Sequence, residues 1–399
     1  MSAVPLHLAV ALDGAGWHPA AWREPRARPR DLLTAGYWAD LVLEAERGTL
    51  DFVTIEDSLG PQSSRYDGPD ERTDQVRGRL DAVLIAARIA PLTSRIGLVP
   101  TATVTHTEPF HIAKALATLD YVSTGRAGWR VQVSGRPDEA AHFGRRVIPP
   151  WKPTDLDTAA VQQLLTELFD EAADFVEVVR RLWDSWEDDA EIRDAATGRF
   201  IDRAKLHYID FEGARFSVKG PSITPRPPQG QPLVTALAHA TIPYRLGARG
   251  SDLVYVTPAD AEQGRTIVEQ IRAEQAAAGR AGETVHIFGD LVVFLDETAA
   301  AAAERKARLD DRAGAAFTSD AHIFTGTPEQ LADLLLGWRD AGLTGFRLRP
   351  GVLGDDLEAI TRGLVPLLRS RGVFRREYEA SSLRGLLGLP RPANRYANS

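Results

Sequence analysis

A short segment in the first half of the chain alternates polar and apolar side chains. It reads GWRVQVSG, and its polar residues are Arg130, Gln132 and Ser134. An alternation with a period of two predicts a β-strand with one polar face. If the strand is covered on both faces, the polar row points into the protein and is a candidate site. The alternative is a polar layer whose hydrogen bonds are satisfied inside the core.

Two carboxylates and two histidines elsewhere have side chains suited to catalysis. Glu56 and Asp57 are neighbours at the end of an apolar segment. Adjacent residues of a strand point to opposite faces, so these carboxylates cannot flank one glycosidic bond as in a glycoside hydrolase. His18 and His106 each follow an apolar segment. Because histidine titrates near neutral pH, both are candidates for polarising a substrate or moving a proton.

Eight short apolar segments that suit buried strands alternate with helical patterns. The expected strands lie at 6–14, 51–57, 95–105, 129–134, 232–239, 252–258, 284–296 and 345–351. Helical patterns lie at 36–48, 79–93, 110–123, 260–280 and 327–342, with a last one after 351. This alternation predicts a parallel sheet, and eight repeats predict a (β/α)8 TIM barrel. A doubly wound open sheet is the competing fold.

The segment 136–230 interrupts the alternation. It contains a long helical pattern at 158–186 and ends in the proline-rich run PSITPRPPQGQP. We therefore expect it to be a large helical insertion after the fourth strand. Connections of this length in a compact domain usually carry function. The expected domain covers 1–399 as one unit, with a C-terminal extension at 376–399.

The eighth expected strand places two arginines on one alternating face. In GFRLRPG these are Arg347 and Arg349. Together with Arg130 they put three guanidinium groups toward the predicted barrel mouth. This arrangement suggests either an anionic substrate or an internal salt-bridge network with Glu56 and Asp57.

Composition narrows the class of protein. Hydrophobic residues make up 44% and charged residues 26% of 399, values typical of a soluble globular protein. A net charge of −8 argues against nucleic acid or an anionic membrane as the main partner. The absence of cysteine excludes disulfides, thiolate metal sites and a cysteine nucleophile. The nine histidines show no H-x-H or H-E-x-x-H spacing of a metal hydrolase. The N-terminus lacks a signal-peptide pattern, so we expect a cytoplasmic protein.

Several motifs occur in order along nearly the whole chain. They include GWHPAAWREP, FVTIEDSLG, HTEPFHIAKALATLDYVSTGRAGWRV, VEVVRRLWDSWEDDA, GTPEQLAD and LRGLLGLPRPANRYA. Together they resemble the flavin-dependent monooxygenases of the bacterial luciferase-like superfamily. The branch they resemble most contains the nitrilotriacetate, dibenzothiophene-sulfone and long-chain-alkane monooxygenases.

The resemblance implies a TIM barrel that forms a homodimer or homotetramer. It implies reduced FMN (FMNH2) delivered by a separate NAD(P)H:flavin reductase, and O2 as the second substrate. A C4a-(hydro)peroxyflavin would oxygenate a small organic molecule, and the inward arginines suggest an anionic one. The sequence agrees that no NAD(P)H domain is resident, because no G-x-G-x-x-G motif follows a strand.

The residues and the resemblance together give candidate roles. His18 and His106 are the catalytic candidates because they lie at the predicted mouth, and Arg347 and Arg349, where relatives tend to be less charged, are candidates for contacting an anionic substrate. Cofactor-binding roles fall on Asp57, Thr101, Ala102, Arg130, Gln132, Ser134, His239, Ala240 and Thr241.

Two of these segments depart from the family pattern. Relatives commonly read G-W-N-x-V-T-S where this chain has Arg130 and Val133. Relatives also carry a small A-G-x-S run where this chain reads ALAHAT. These departures leave two alternatives to an FMN-dependent monooxygenase: an oxidoreductase that uses the deazaflavin F420, and a non-catalytic paralogue that binds a flavin or another ligand.

Overall fold

The computed structural model describes residues 6–63, 65 and 68–397. The alternation of short apolar segments with amphipathic ones produces a wall of parallel strands inside a ring of helices. The barrel strands are β1 His7–Leu12, β2 Phe52–Ile55, β3 Gly97–Thr103, β4 Gly128–Gln132, β5 Leu233–Leu237, β6 Leu253–Val256, β7 His286–Leu295 and β8 Gly345–Pro350. Each lies within, or within one residue of, a strand expected from the sequence.

Most of the helices lie on the outside of this wall, and the last of them lies at one end of the barrel. They are α1 Ala35–Arg47, α2 Ala82–Ile89, α3 Pro109–Val122, α4 Pro137–Phe143, α5 Ala159–Asp184, α6 Thr241–Gly250, α7 Ala261–Ala277, α8 Ala299–Ala313, α9 Pro328–Arg339, α10 Leu353–Glu358, α11 Val365–Ser370 and α12 Leu383–Leu386. A π-helical turn, Ala359–Leu364, joins α10 to α11. Hydroxyl and carboxylate caps begin many of these helices, as at Thr34, Thr298 and Thr327.

Strand pairing closes the barrel. Consecutive strands pair in parallel from β1 to β8, and β8 pairs with β1, beginning at Gly345 beside His7. The closure confirms the (β/α)8 barrel and excludes the open doubly wound sheet, which would leave two free edges. A further short strand, His322–Gly326, pairs with the second half of β7 and was not expected from the sequence.

The expected insertion contributes one helix to the outer ring. Helix α5 packs between α3 and α6, where it buries Phe175, Leu182 and Trp183 against Trp129 of β4. The rest of 136–230 consists of α4, single helical turns and two short antiparallel hairpins, at 191–201 and 211–218. The division into a domain and an insertion stays a prediction.

The C-terminal segment closes the barrel at the end opposite the carboxyl ends of the strands. Leu383, Leu387 and Leu389 pack with inward-facing residues such as Phe52 and Phe288. The polar inward-facing residues therefore lie at the other end of the barrel. Residues 1–5 of the expected domain and 398–399 of the expected extension lie outside the described residues. No helix within the described part combines the length and the apolar character needed to cross a lipid bilayer.

Replacing Trp183 by alanine tests the role of α5 in the ring. The indole is 1% exposed and its Nε1–H donates to the carbonyl of Ala113 at 3.0 Å. We expect Trp183→Ala to lower the free energy of unfolding in urea by about 3–5 kcal/mol, because a cavity remains and the carbonyl of Ala113 loses one of its donors. The control Phe200→Ala, at a ring 64% exposed, should change it by less than about 0.5 kcal/mol. Equal losses in both variants would contradict this packing.

Candidate functional site

The centre of the site is a buried carboxylate on β7 that holds two arginines of β8. Asp290 lies beside Arg347 in the strand register. Arg347 donates from Nε to Oδ1 of Asp290 at 2.7 Å and from Nη2 to Oδ2 at 2.5 Å. Arg349, two residues further along β8, donates from Nε to the same Oδ2 at 3.0 Å. Asp290 is 0% exposed, so both guanidinium groups are held inside the barrel.

A second carboxylate extends the pairing across the barrel. Glu56, just after β2, accepts from Arg347 at 3.1 Å, and it lies 3.2 Å from Nη1 of Arg130 on β4. The same Nη1 of Arg130 donates to Oγ1 of Thr101 at 3.0 Å. The guanidinium of Arg347 also lies 4.3 Å from the ring centroid of Tyr255, a cation–π distance. Charged residues of β4, β7 and β8 and the end of β2 therefore meet at Asp290 and Glu56.

A third carboxylate connects this group to the loop after β5. Asp320 accepts from Nη1 of Arg349 at 2.7 Å and lies 3.4 Å from Nε2 of His239. The Nδ1 atom of His239 lies 2.8 Å from Oγ1 of Thr257. We call the six ionised side chains the arginine–carboxylate cluster: Arg130, Arg347, Arg349, Glu56, Asp290 and Asp320.

The cluster is ionised and internally neutral near pH 7. Burial opposes ionisation of Glu56 and Asp290, but the adjacent guanidinium groups outweigh it and hold both pKa values below the ordinary range. Burial would likewise lower the pKa of Arg347, but Asp290 and Glu56 raise it. Desolvation lowers the pKa of His239 despite Asp320, so its ring is neutral at pH 7. Three positive and three negative charges cancel.

The sequence predicted the arginines of this cluster but not all of its acids. An internal salt-bridge network was one of two expectations for the arginines, and the structure contains it with Glu56 as partner. Asp290 and Asp320 were missed. Asp290 is a single charge inside the otherwise apolar segment HIFGDLVVFL, and that pattern was the available signal.

Asp57 lies outside the network in which it was expected. Its carboxylate accepts from the backbone N–H of Ala82 at 2.9 Å and of Ser58 at 2.7 Å. It therefore anchors the loop after β2 to the start of α2, because adjacent strand residues face opposite ways. Burial raises the pKa of Asp57.

Two other expected flavin contacts lie on different faces of β3. Ala102 belongs to the apolar cluster under α3 and α5, and its carbonyl accepts from Nε1 of Trp129 at 3.2 Å. It faces the helices, because the inward face of β3 belongs to Thr101 and Thr103. Thr103 donates to Oε1 of Gln132 at 3.0 Å, so Gln132 lies one layer beyond Arg130 toward the mouth. Ser134 follows in the next loop.

His18 is held by protein groups on both sides of its ring. The N–H of Ala20 donates to Nδ1 at 3.1 Å, so Nε2 carries the proton toward Oδ1 of Asp310, 3.0 Å away. The ring is 1% exposed and packs against Phe317. In this arrangement His18 joins the loop after β1 to α8 and has no nitrogen free for proton transfer.

His106 has a free nitrogen. Its backbone φ is 74°, a left-handed conformation, and its ring stacks on Phe143 at 5.4 Å. The Nε2 atom is buried and, among the described residues, has no hydrogen-bond partner. Burial and Arg146 lower the pKa of His106, so the ring is neutral at pH 7. Its catalytic role stays a prediction.

The start of α6 has the features of an anion site. Ala240 precedes the helix in extended conformation, and no side chain of the described part caps the helix. Among the described residues the N–H groups of Thr241 and Ile242 have no acceptor, and Pro243 in the first turn has no N–H. A helix N-terminus with open N–H groups attracts phosphate. His239, two residues earlier, joins this helix start to the cluster through Asp320.

Two cavities lie beside the cluster at the carboxyl ends of the strands. The first, about 350 Å³, is bounded by Asp13, Glu56 and the segment 73–80, and we call it the loop cavity. The second, about 310 Å³, is bounded by Gln132 and Ser134, and we call it the β4 cavity. Arg79 lines both of them. Pockets of this size at the C-terminal face of a barrel are where such enzymes bind ligands.

Known proteins resemble this chain along its whole length. The family model described as luciferase-like monooxygenase matches residues 16–310. N-acetyl-S-(2-succino)cysteine monooxygenase of Bacillus subtilis (strain 168) is 32% identical over 98% of each chain. Nitrilotriacetate monooxygenase component A of Aminobacter aminovorans is 29% identical, also over 98% of each chain. Among solved structures, riboflavin lyase with modified FMN and riboflavin has a TM-score of 0.83 at 26% identity over 96% of each chain. These matches confirm the family resemblance.

Asp290→Asn tests whether the cluster is held by this carboxylate. The change leaves Arg347 and Arg349 buried with one partner fewer, so the free energy of unfolding at pH 7 should fall by about 3–5 kcal/mol. The control Asp340→Asn removes an ion pair whose carboxylate is 72% exposed, and should cost less than about 1 kcal/mol.

The same pair of variants has a pH signature. The pKa of Asp290 is lowered in the folded state, so its stabilisation is complete above the unfolded-state pKa and disappears as pH falls through the folded-state pKa. The stability difference between the original protein and Asp290→Asn should therefore shrink on acidification. Urea unfolding at a series of pH values measures it, and a constant difference would refute the assignment.

Proposed function

The chain belongs to the luciferase-like monooxygenase family, and on this premise we propose that it is the oxygenase component of a two-component system. In this proposal a separate NAD(P)H:flavin reductase supplies reduced FMN, and the protein uses it with O2 to oxygenate a small organic molecule. Two relatives support the proposal: one is named component A, and another was solved with modified FMN. The homodimer or homotetramer implied by the motifs stays a prediction.

The donor groups at the mouth fit FMN. The open N–H groups of Thr241 and Ile242 suit its phosphate. The buried Nε of Arg130 has no hydrogen-bond partner within the described residues, and it suits an acceptor on the polar edge of the flavin ring. When bound in its reduced form, FMN supplies the electrons that activate O2. Gln132 and Ser134 would add hydrogen bonds from the β4 cavity.

The protein's own groups prepare the mouth for this chemistry. The arginine–carboxylate cluster supplies directed donors without net charge, and its ion pairs fix Arg130 and Arg347 in place. The loop after β2 forms one wall of the β4 cavity with Ser58, Pro61 and Gln62, and this wall would shield one side of a bound flavin from water. His106 holds a nitrogen that can accept or donate a proton at neutral pH.

One observation carries the proposal. The uncapped start of α6 is connected by His239 and Asp320 to a charge-compensated cluster at the carboxyl ends of the strands. One ligand could therefore place its phosphate at the start of α6 and its ring over the cluster. No observation favours F420 or a non-catalytic role over this function.

Ala240→Asp tests the phosphate site. The new carboxylate would cap α6 and repel a phosphate, so we expect reduced FMN to bind about tenfold or more weakly while reduced riboflavin, which lacks phosphate, is unaffected. Anaerobic titration followed by flavin absorbance measures both affinities. The matched control Thr298→Asp keeps a cap on α8 and adds the same charge at an exposed position.

Three outcomes decide the proposal. Tight binding of reduced FMN that Ala240→Asp weakens and Thr298→Asp does not would support it. Equal effects of Ala240→Asp on FMN and riboflavin would place the phosphate elsewhere. If reduced F420 binds the folded protein and reduced FMN does not, the monooxygenase proposal fails in favour of the deazaflavin alternative.

A further inference from the structure

The loop cavity has apolar walls. Trp22, Trp38, Leu32, Leu33 and Leu80 line it. Both indole N–H groups are already used: Trp22 donates to the carbonyl of Asp74 and Trp38 to that of Leu32, each at 2.9 Å. The two tryptophans therefore present ring surface to the cavity, which suits a flat apolar molecule.

The charged groups of the same cavity are all compensated. Arg79 forms a two-pronged pair with Asp13, from Nε to Oδ1 at 3.1 Å and from Nη2 to Oδ2 at 2.8 Å. Arg77 is paired with Asp70, and Glu56 belongs to the arginine–carboxylate cluster. An anionic ligand in this cavity would therefore find each guanidinium that lines it already paired with a carboxylate.

Two uncharged polar side chains of the cavity are available to a ligand. The hydroxyl of Thr73 and the side-chain amide of Gln75 line the loop cavity, and neither forms a hydrogen bond within the described part of the chain. Thr73 is the more exposed of the two, so the amide of Gln75 is the better placed to meet an enclosed ligand. An amide can donate to a carbonyl, sulfone or sulfoxide oxygen and can accept from a hydroxyl. A single such contact orients an apolar ligand without requiring charge.

The cavity is placed to present its ligand to the proposed flavin. Glu56, which lines the cavity, lies 3.2 Å from Nη1 of Arg130. Arg79 lines both this cavity and the β4 cavity. Resting on the proposed function, we infer that the substrate is a neutral, flat, largely apolar ring compound with one hydrogen-bonding oxygen directed to Gln75. This differs from the polycarboxylates in the names of the two relatives above.

Ligand binding to the full-length protein without flavin tests this inference separately from the proposed function. The probes are thiochroman-4-one, a neutral bicyclic ketone, and nitrilotriacetate, and isothermal titration calorimetry measures both. We expect the ketone to bind at least about tenfold more tightly than the polycarboxylate. This calorimetry needs no flavin. A failure of this inference would therefore appear here, whereas a failure of FMN binding would appear in the anaerobic flavin titration.

Leu33→Ser tests the apolar wall against a matched control. Leu33 is 66% exposed and lines the cavity, whereas Leu84 is 68% exposed and lies on α2 outside it. Leu33→Ser should weaken ketone binding about three- to tenfold, and Leu84→Ser should not change it. Equal affinities in the two variants would overturn the assignment of this cavity.

Asp13→Asn tests the charge compensation by a gain of binding. The change frees the guanidinium of Arg79, so nitrilotriacetate should bind about tenfold more tightly than it does to the original protein. Asp74→Asn, which frees Arg72 in the same loop outside the cavity, is the control. Tighter binding of nitrilotriacetate than of the ketone by the original protein would overturn the inference, as would an unchanged affinity in Asp13→Asn.

Discussion

The ion pairs of Asp290 with Arg347 and Arg349 are the constraint around which the mouth of the barrel is organised. A fully buried carboxylate is costly unless positive groups surround it, and two inward positions of β8 supply them. Once these guanidinium groups are fixed, their free N–H groups require the further acceptors Glu56 and Asp320. The cluster thereby ties β2, β4, β7 and β8 to the loop before His322.

The neutrality of the cluster limits what the site can recognise. Three inward arginines would attract an anion if they were unpaired, but each already lies against a carboxylate. The positive potential that remains at the mouth comes instead from the N–H groups at the start of α6, and these suit one phosphate. In the proposed function, cofactor and substrate recognition therefore separate: the phosphate of the cofactor would meet the start of α6, and the substrate would meet the apolar surface of the loop cavity.

Two residues that the sequence offers as site candidates have partners within the protein. His18 is clamped between the N–H of Ala20 and Asp310, and Asp57 anchors the loop after β2 to Ala82. A histidine or aspartate after a strand is a candidate for either role, because residue type and position alone do not reveal its partners. His106 differs from them, since its Nε2 is buried and has no hydrogen-bond partner among the described residues.

The sequence by itself determined the eight alternating strands and helices, because strand and helix periodicities depend on near neighbours, and it favoured the barrel. Closure of β8 on β1, which excludes the open sheet, was decided by the tertiary structure. The motifs along the chain also determined the family. Only the tertiary structure decided which acid meets which arginine: Glu56, Asp290 and Asp320 are far apart in the chain and converge through closure of β8 on β1. Whether an inward arginine is free or neutralised depends on such long-range contacts, and no local pattern in the sequence records them.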